Sequence, residues 1–461
     1  MRIRNSLVAA LLLLLPQIAI AEAPAPGNLP EATDDLSPQK ILNSQNLSSY
    51  KEIVPLELQA LFRNGQLEIE AASGLKVVPS YGEQWAKASG ASASAALSGQ
   101  SLRPGTKLGE GFVFGDAASL AAADDSKVLA QKILWNIYSV WAAEHVFGSQ
   151  FEFHWFKDAA KPFRTLRGEF DRIYPLALPD SKQLTQLFRE LIRFTAPAFL
   201  NDLAWLTFRF VGSDEDILWV YSPAVQKLRQ LTAANRSDPI LRSAVSPEDF
   251  LVWSGKPELA DARAEPPATM LAPFLRAEAP AVSSDKTCVF IDRAAAVSNR
   301  TTVRWNFESS RYLHGAGWVP STSILIPRSM WRIELVSQDP FSLYGRQILY
   351  VDTELMLPIY KVVYNRSGQL WKTVIGSYGL AGVQGSSAKS PYPAYTVVID
   401  HLKNEAFVID FSRITMCAEP TPPLTLADFD PKRFTDVSKR VQQAATPTPA
   451  VQVPAEEPDE R

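Results

Sequence analysis

Alternation of apolar and polar residues is the most constraining pattern in this sequence. Phe151, Phe153 and Trp155 alternate with Glu152 and His154, and the same period of two returns toward the C-terminus. Later segments that alternate or are continuously apolar are 206–210, 217–221, 303–307, 331–335, 346–352, 358–364, 369–375, 397–400 and 406–411. Because successive side chains of a strand point to opposite faces, the pattern predicts a long antiparallel meander with one face toward a core.

One segment ahead of these strands has the spacing of a helix. Leu129, Ile133, Ile137 and Val140 recur at intervals of three to four residues, directly after the capping residues 124–126. This spacing predicts an amphipathic helix over 127–145. Since 46% of the residues are hydrophobic, the chain can bury this helix and the sheet in a common core.

The N-terminus has the features of a secretory signal peptide over residues 1–21. A basic start is followed by an apolar run over 7–21, which ends in the small-x-small pattern Ala19-Ile20-Ala21. The run is short for a membrane span, and no cysteine follows for lipid attachment. We expect cleavage and release into an oxidising compartment, most simply the periplasm.

The rest of the chain divides by composition. Residues 22–45 are predicted to be a flexible leader, and 46–440 a single domain of sheet and helix. Within that domain, 258–286 interrupts the strand pattern and is interpreted as an insertion or lid-like loop. Residues 441–461 are rich in proline and glutamate and are predicted to be a disordered tail.

The two cysteines, Cys288 and Cys417, are disulfide candidates, because a secreted chain folds where thiols oxidise. The alternative is two separate buried thiols. Neither cysteine has a histidine close by in the sequence, so a catalytic role is not expected.

We expect no catalysis, no cofactor and no metal site. The common nucleotide, metal and hydrolase motifs are absent, and Ser-x-x-Lys at 37–40 and 386–389 lacks its companion motifs. The acidic run 214–216 is interpreted as a polar turn, and His154 as a solvated side chain. A net charge of −3 argues against nucleic acid as a partner. A hydrolase of envelope polymers that uses the turn carboxylates stays open as an alternative.

Nine aromatic residues are expected to point to one side of their strands. They are Phe151, Phe153, Trp155, Phe208, Phe210, Trp219, Trp305, Phe307 and Trp331. One interpretation is an ordinary core packed against helices. The other is a concave face that holds an acyl chain or a sterol-like ligand, for which these residues are the cavity-lining candidates.

Several segments resemble a known Gram-negative family when they are taken in order. These are Gly111–Asp116, Lys132–Asn136, Leu218–Pro223, Lys227–Leu231, Ser237–Pro239, Glu248–Phe250 with Trp253, Leu343–Asp352, Leu357–Lys361 and Tyr364–Lys372. Across about 46–440, the chain resembles the domain of unknown function 1329 family. That family is similar in fold to the lipoprotein carriers LolA and LolB.

The resemblance implies a mainly β (α+β) fold. The expected form is a large curved antiparallel sheet, or open β-barrel, with helices on its concave side. It also implies a periplasmic carrier or receptor for a lipid or other hydrophobic molecule. An RND-type inner-membrane exporter and an outer-membrane protein are the implied partners. The alternative is a non-enzymatic sensor or scaffold that binds a membrane protein.

Overall fold

A computed structural model describes residues 41–435, apart from short gaps. The gaps are 74–76, 78–81, 93–96, 104–105, 107, 159, 179–184, 213, 277–280, 286, 295–303, 309–314, 383–388 and 421–423. The predicted signal peptide, most of the predicted leader and the predicted tail lie outside the described residues. The last leader residues belong to the fold, because Ile41–Leu42 pairs with Ile69–Glu70.

The described residues form five α-helices, several short 3₁₀ turns and twenty strands. The helices are α1 Gln59–Arg63, α2 Gly82–Ser92, α3 Ala117–Ala121, α4 Ser126–Ala142 and α5 Lys432–Thr435. The first ten strands are β1 Ile41–Leu42, β2 Ile69–Glu70, β3 Leu97–Ser98, β4 Ser101–Leu102, β5 Val146–Phe156, β6 Arg164–Ile173, β7 Gln186–Ala196, β8 Ala204–Phe210, β9 Ile217–Ser222 and β10 Lys227–Leu231. The others are β11 Ala260–Ala264, β12 Ala268–Leu275, β13 Ala281–Ser284, β14 Cys288–Asp292, β15 Ser323–Ser337, β16 Tyr344–Asp352, β17 Pro358–Asn365, β18 Leu370–Gly382, β19 Lys389–Asp400 and β20 Glu405–Cys417.

Sixteen of these strands join one sheet. Its main order is β10-β9-β8-β7-β6-β5-β20-β19-β18-β12-β15-β16-β17. Neighbours are antiparallel except for β12 and β18, which meet in parallel at Phe274 and Tyr378. Because β17 also pairs with β18, strands β12, β15, β16, β17 and β18 close into a ring. The predicted mainly β fold, with an antiparallel sheet that curves toward a barrel, is confirmed.

Helix α4 is the predicted amphipathic helix and is more deeply buried than a surface helix. Asp125 caps its N-terminus, since its carboxylate accepts hydrogen bonds from the backbone N–H of Lys127 and Val128 at 2.7 and 3.1 Å. Near its C-terminus Trp141 contacts Phe147 of β5 and Tyr378 of β18. The helix therefore packs against the same face of the sheet at two distant strands.

The segment 258–286 is not a lid-like loop where the structure describes it. Most of it forms β11, β12 and β13, and both β11 and β12 pair with β15. The small side chains of Ala260, Ala262 and Ala264 are buried and let α4 lie close to β11. Alanine and proline are poor strand formers, which is why their abundance concealed these strands in the sequence.

The predicted strand at 303–307 is also corrected. Residues 301–303 lie outside the described part, Trp305 forms an isolated bridge with Pro320, and Asn306–Glu308 is a 3₁₀ turn. Cys288 and Cys417 stand opposite each other on β14 and β20 and form a disulfide, as predicted.

Candidate functional site

One irregular segment occupies the face of the sheet against which α4 packs. Residues 236–257, here called the plug, contain short 3₁₀ turns at Ile240–Arg242 and Pro247–Asp249. The ring of Phe250 stacks on Phe170 of β6 and meets Phe151 of β5 edge-on, with centroids 5.3 and 5.4 Å apart. We call this side of the sheet the plug face.

The plug also packs against α4. Trp253 lies 5.8 Å from Tyr138, ring centroid to ring centroid, and the Tyr138 hydroxyl donates to the carbonyl of Gly255 at 2.6 Å. Gly376 of β18 is required for this approach, since a Cβ there would lie 2.2 Å from a methyl carbon of Val252. The plug is thus enclosed between the sheet and the helix.

The nine aromatic candidates do not share one face, which corrects that expectation. Four of them lie on the plug face: Phe151, Phe153, Trp155 and Trp331. Trp331 is assigned to this face by the register of β15 with β16 and of β16 with β17. Trp305 and Phe307 belong to a segment on the opposite face, where they contact Asp410 and His154. Phe208, Phe210 and Trp219 form a separate small cluster with the disulfide.

Strand β8 shows why three of the candidates turn away from the plug. Arg209 donates to the carbonyl of Ser254 at 2.7 Å and to the carboxylate of Glu248 at 3.0 Å, so its side chain points to the plug. Because side chains alternate along a strand, Phe208 and Phe210 must point the other way. The aromatic period identifies residues that share a face but does not say which face is buried against the plug.

A cluster of three buried charges lies where the plug meets β17 and β18. Asp249 of the plug accepts from Lys361 of β17 at 2.5 Å and from Lys372 of β18 at 2.6 Å. All three side chains are 0% exposed. Lys372 also donates to the Tyr344 hydroxyl at 2.8 Å, which lies 2.6 Å from the hydroxyl of Ser246.

The charges in this cluster shift one another's pKa. Burial raises the pKa of Asp249, but the two lysine charges and their hydrogen bonds outweigh it and leave the value lowered, at about 2. Burial lowers the pKa of Lys372 to about 8, and the charge of Lys361 adds to the lowering while Asp249 opposes it. Asp249 is therefore ionised at neutral pH, and its single negative charge faces two lysine side chains.

A second ionic network holds the other end of the plug. Asp216 forms an ion pair with Arg209 at 2.7 Å and accepts a hydrogen bond from Arg236 at 3.1 Å, and Arg236 also reaches Asp339 at 2.8 Å. Arg172 connects Glu190 of β7 to the hydroxyl of Ser254. The interpretation of 214–216 as a simple polar turn is therefore wrong for Asp216, which is buried.

His154 is likewise not the solvated side chain expected from its position between apolar neighbours. It is 5% exposed, and its Nδ1 lies 3.0 Å from the hydroxyl of Thr165. Burial lowers its pKa, although the nearby carboxylates of Asp410 and Glu152 oppose this. The opposite face of β5 is covered by residues 304–308, which the sequence pattern placed within a strand.

The plug leaves little free space around itself. Beside it is a cavity of about 40 Å³ lined by residues that include Arg236, Trp253 and Tyr344. Across the sheet, an apolar void of about 20 Å³ is lined by residues that include Trp318, Tyr360 and Tyr395. Small-molecule sites usually have volumes of about 300–1,000 Å³, so neither of these two spaces can hold a ligand on the plug face unless the plug moves. A larger cavity of about 450 Å³ is lined mainly by polar residues of β5, β6 and β20, among them Glu152, Arg167 and Arg413.

In the described part of the chain, no group of three or more His, Cys, Asp or Glu side chains is arranged to hold a metal ion. Within the same residues, no helix has both the length and the apolar character needed to cross a membrane.

Residues 41–432 match the family described as "Protein of unknown function (DUF1329)". The chain belongs to the DUF1329 family. This confirms the resemblance found in the sequence. Among curated proteins, none matches this chain.

Three solved structures are similar to this DUF1329 protein. A DUF1329 protein of Desulfovibrio piger is 15% identical, with 64% of this chain and 97% of that chain covered and a TM-score of 0.41. A Vibrio parahaemolyticus domain described as outer membrane lipoprotein-sorting is 14% identical, with 63% and 92% covered and a TM-score of 0.41. A LolA superfamily protein of Nitrosomonas europaea is 17% identical, with 65% and 98% covered and a TM-score of 0.35.

Sequence reasoning missed the plug and its ionic anchors as a site. Lys361 and Lys372 were visible as charges within otherwise apolar strands, and Asp249 precedes the aromatic Phe250. A lysine at an inward strand position demands a buried anion, and this is the signal from which the cluster could have been found.

Proposed function

We propose that this protein is a non-enzymatic periplasmic carrier or receptor, which binds a lipid or other hydrophobic molecule on the plug face. The observation that carries the proposal is the way this face is covered. Phe151 and Phe170 lie on regular strands, whereas Phe250, which covers them, lies on a segment that makes no strand pairing. An apolar ligand that replaced the plug would meet an existing aromatic surface.

The backbone N–H groups of the plug bond locally, and its carbonyls are tied to the sheet and α4 by side chains such as Arg209 and Tyr138, which favours its displacement. The amides of Ile240, Asp249 and Val252 bond to carbonyls of Val245, Ser246 and Asp249. Lifting the plug would therefore break side-chain contacts while leaving the strand ladders of the sheet intact. Each methylene of an acyl chain buried in its place contributes roughly 0.8 kcal/mol.

Release of such a ligand needs an acceptor. The family resemblance implies an RND-type inner-membrane exporter and an outer-membrane protein, and we include both as proposed partners.

The test is native mass spectrometry of the full chain purified gently from periplasm, followed by organic extraction and lipid analysis. A stoichiometric lipid or hydrophobic molecule is the expected result. If only the mass of the ligand-free protein is observed, even after incubation with mixed phospholipid vesicles, the carrier proposal is contradicted.

The small space around the plug supports a second candidate, a sensor or scaffold that binds a membrane protein and carries no cargo. Strand β10 lies at the end of the sheet order and could accept a partner strand along its edge. A stable periplasmic partner recovered with the bare protein would favour this function. Recovery of the partner only with the lipid-loaded form would favour the carrier.

A further inference from the structure

The lysine pair on β17 and β18 is a fixed part of the sheet. Lys361 stands opposite Val374, and Lys372 stands opposite Val363, so the two lysines are diagonal neighbours on one face of adjacent strands. Both side chains are 0% exposed. Two like charges held this close in a buried place are unfavourable unless an anion joins them.

The anion that joins them comes from the displaceable part of the molecule. Asp249 supplies one negative charge against the two lysines, and the lysines otherwise donate to neutral acceptors: the carbonyls of Ala244 and Glu248 and the hydroxyl of Tyr344. These three side chains alone therefore have one more positive than negative charge; the carboxylate of Glu248 also attracts the lysines, but it is paired with Arg209 at 3.0 Å. A phosphate would compensate the two lysines more fully than Asp249 does.

Asp249 and the residue that follows it together resemble a ligand that has an acidic group and an apolar group. Phe250 follows directly and inserts between Phe151 and Phe170, so an acidic group at the lysines continues into an apolar group on the aromatic strands. An amphipathic molecule with an acidic head has the same order, with the acidic group first and the apolar group next to it. The plug occupies the plug face in the way such a molecule would.

We propose that Lys361 and Lys372 are the anion-binding end of the ligand site, and that Asp249 takes the place of the ligand's acidic headgroup in the ligand-free protein. The ligand class is a molecule with an apolar chain and a carboxylate or phosphate head. The inference rests on the proposed carrier function and adds the headgroup chemistry to it.

The experiment compares two probes that share one chain. Binding of oleate and of oleyl alcohol to the full-length protein is measured by native mass spectrometry and isothermal titration calorimetry, with inorganic phosphate as a headgroup without a chain. We expect oleate to bind about tenfold or more tightly than oleyl alcohol, since a hydrogen bond to a charged group is worth that much. In Asp249→Asn, oleate should bind more tightly still, because its competitor carries no charge.

The lysines are tested by Lys361→Met and Lys372→Met, with Lys127→Met as the control. Lys127 is also ion-paired, with Asp261 at 2.8 Å, but it is half-exposed on α4 and lies outside both the plug and the cluster. The cluster variants should lose the preference for oleate and keep the affinity for oleyl alcohol, whereas the control should keep both. Near-UV circular dichroism checks that each variant is folded. If a lysine variant is not folded, the comparison of oleate with oleyl alcohol in the wild type and in Asp249→Asn still tests the proposal.

The experiment distinguishes failure of the headgroup assignment from failure of the carrier function. Equal binding of oleate and oleyl alcohol would overturn the headgroup assignment and leave the carrier in place. Phosphate binding that depends on the lysines, without any preference for oleate, would also overturn it and point to a small-anion site. If neither chain-bearing probe binds and no lipid is extracted, the carrier function itself fails.

Discussion

Asp249 is the residue whose ionisation stabilises the plug most directly. Its pKa is about 2 in the folded protein and 3.8 in the reference state, so the folded form favours the carboxylate. A carboxyl group with a lowered pKa contributes stability that is present above pH 4 and is lost as the pH falls through 2. The contribution is on the order of 2 kcal/mol.

We therefore predict that Asp249→Asn is destabilising at pH 6, and that the difference from wild type shrinks between pH 5 and pH 2. Chemical unfolding at several pH values measures both free energies. Parallel stability curves for the two proteins over this range would show that Asp249 does not titrate as described.

Gly168 shows how tightly the plug face is packed at the level of one atom. A Cβ at this position would lie 2.4 Å from a ring carbon of Phe151 and 2.5 Å from the carbonyl oxygen of Arg193. We predict that Gly168→Ala destabilises the protein by about 1–3 kcal/mol, because the ring and the strand must move apart.

Gly90 in α2 provides the matched control, since a Cβ there would meet nothing within 4 Å. Gly90→Ala should be neutral or stabilising by up to about 1 kcal/mol, as alanine is the better helix former. Urea unfolding of both variants checks the pair. Equal effects would mean that the close contact at Gly168 relaxes freely.

At the scale of elements, the sequence predicts regular structure well and irregular structure poorly. The period of two in β5 and the cap at Asp125 specify a strand and a helix by local rules. The plug has no such period, and its place depends on distant partners such as Lys361 and Arg209. The orientation of β8 also depends on one long-range contact, so Phe208 could not be assigned to a face from its own segment.

The plug can be tested as a moving element by tying it to the sheet. Val252 faces Gly376 of β18 so closely that a Cβ on the glycine would lie 2.2 Å from a valine methyl carbon. A cysteine at each position would bring the two Cβ atoms near the separation of about 3.5–4.5 Å that a disulfide needs.

We predict that oxidised Val252→Cys/Gly376→Cys protein no longer takes up oleate, and that mild reduction restores uptake. The single Val252→Cys variant, under the same oxidising conditions, is the control. Unimpaired uptake by the cross-linked protein, with the cross-link verified by mass spectrometry, would show that the ligand binds without displacing the plug.

At the scale of the whole molecule, different parts of the chain pack on the two faces of the sheet. On the plug face, α4 and the plug lie against the aromatic strands, and the plug is anchored by Asp249 and Arg236. On the opposite face, the disulfide between β14 and β20 lies in a small cluster of its own. Opening the plug should therefore leave the sheet and the disulfide unchanged.

This arrangement predicts a hierarchy of local stability that hydrogen-exchange mass spectrometry can measure. Amides of the plug, which bond locally, should exchange through a partial opening of lower free energy than amides of β5 and β20, which exchange only when the ladder breaks. Asp249→Asn should speed exchange in the plug and leave β5 and β20 unchanged, because it removes an anchor of the plug alone. If the plug and the two strands exchanged together in both proteins, the plug would be an inseparable part of the core, and a ligand could not replace it without unfolding the sheet.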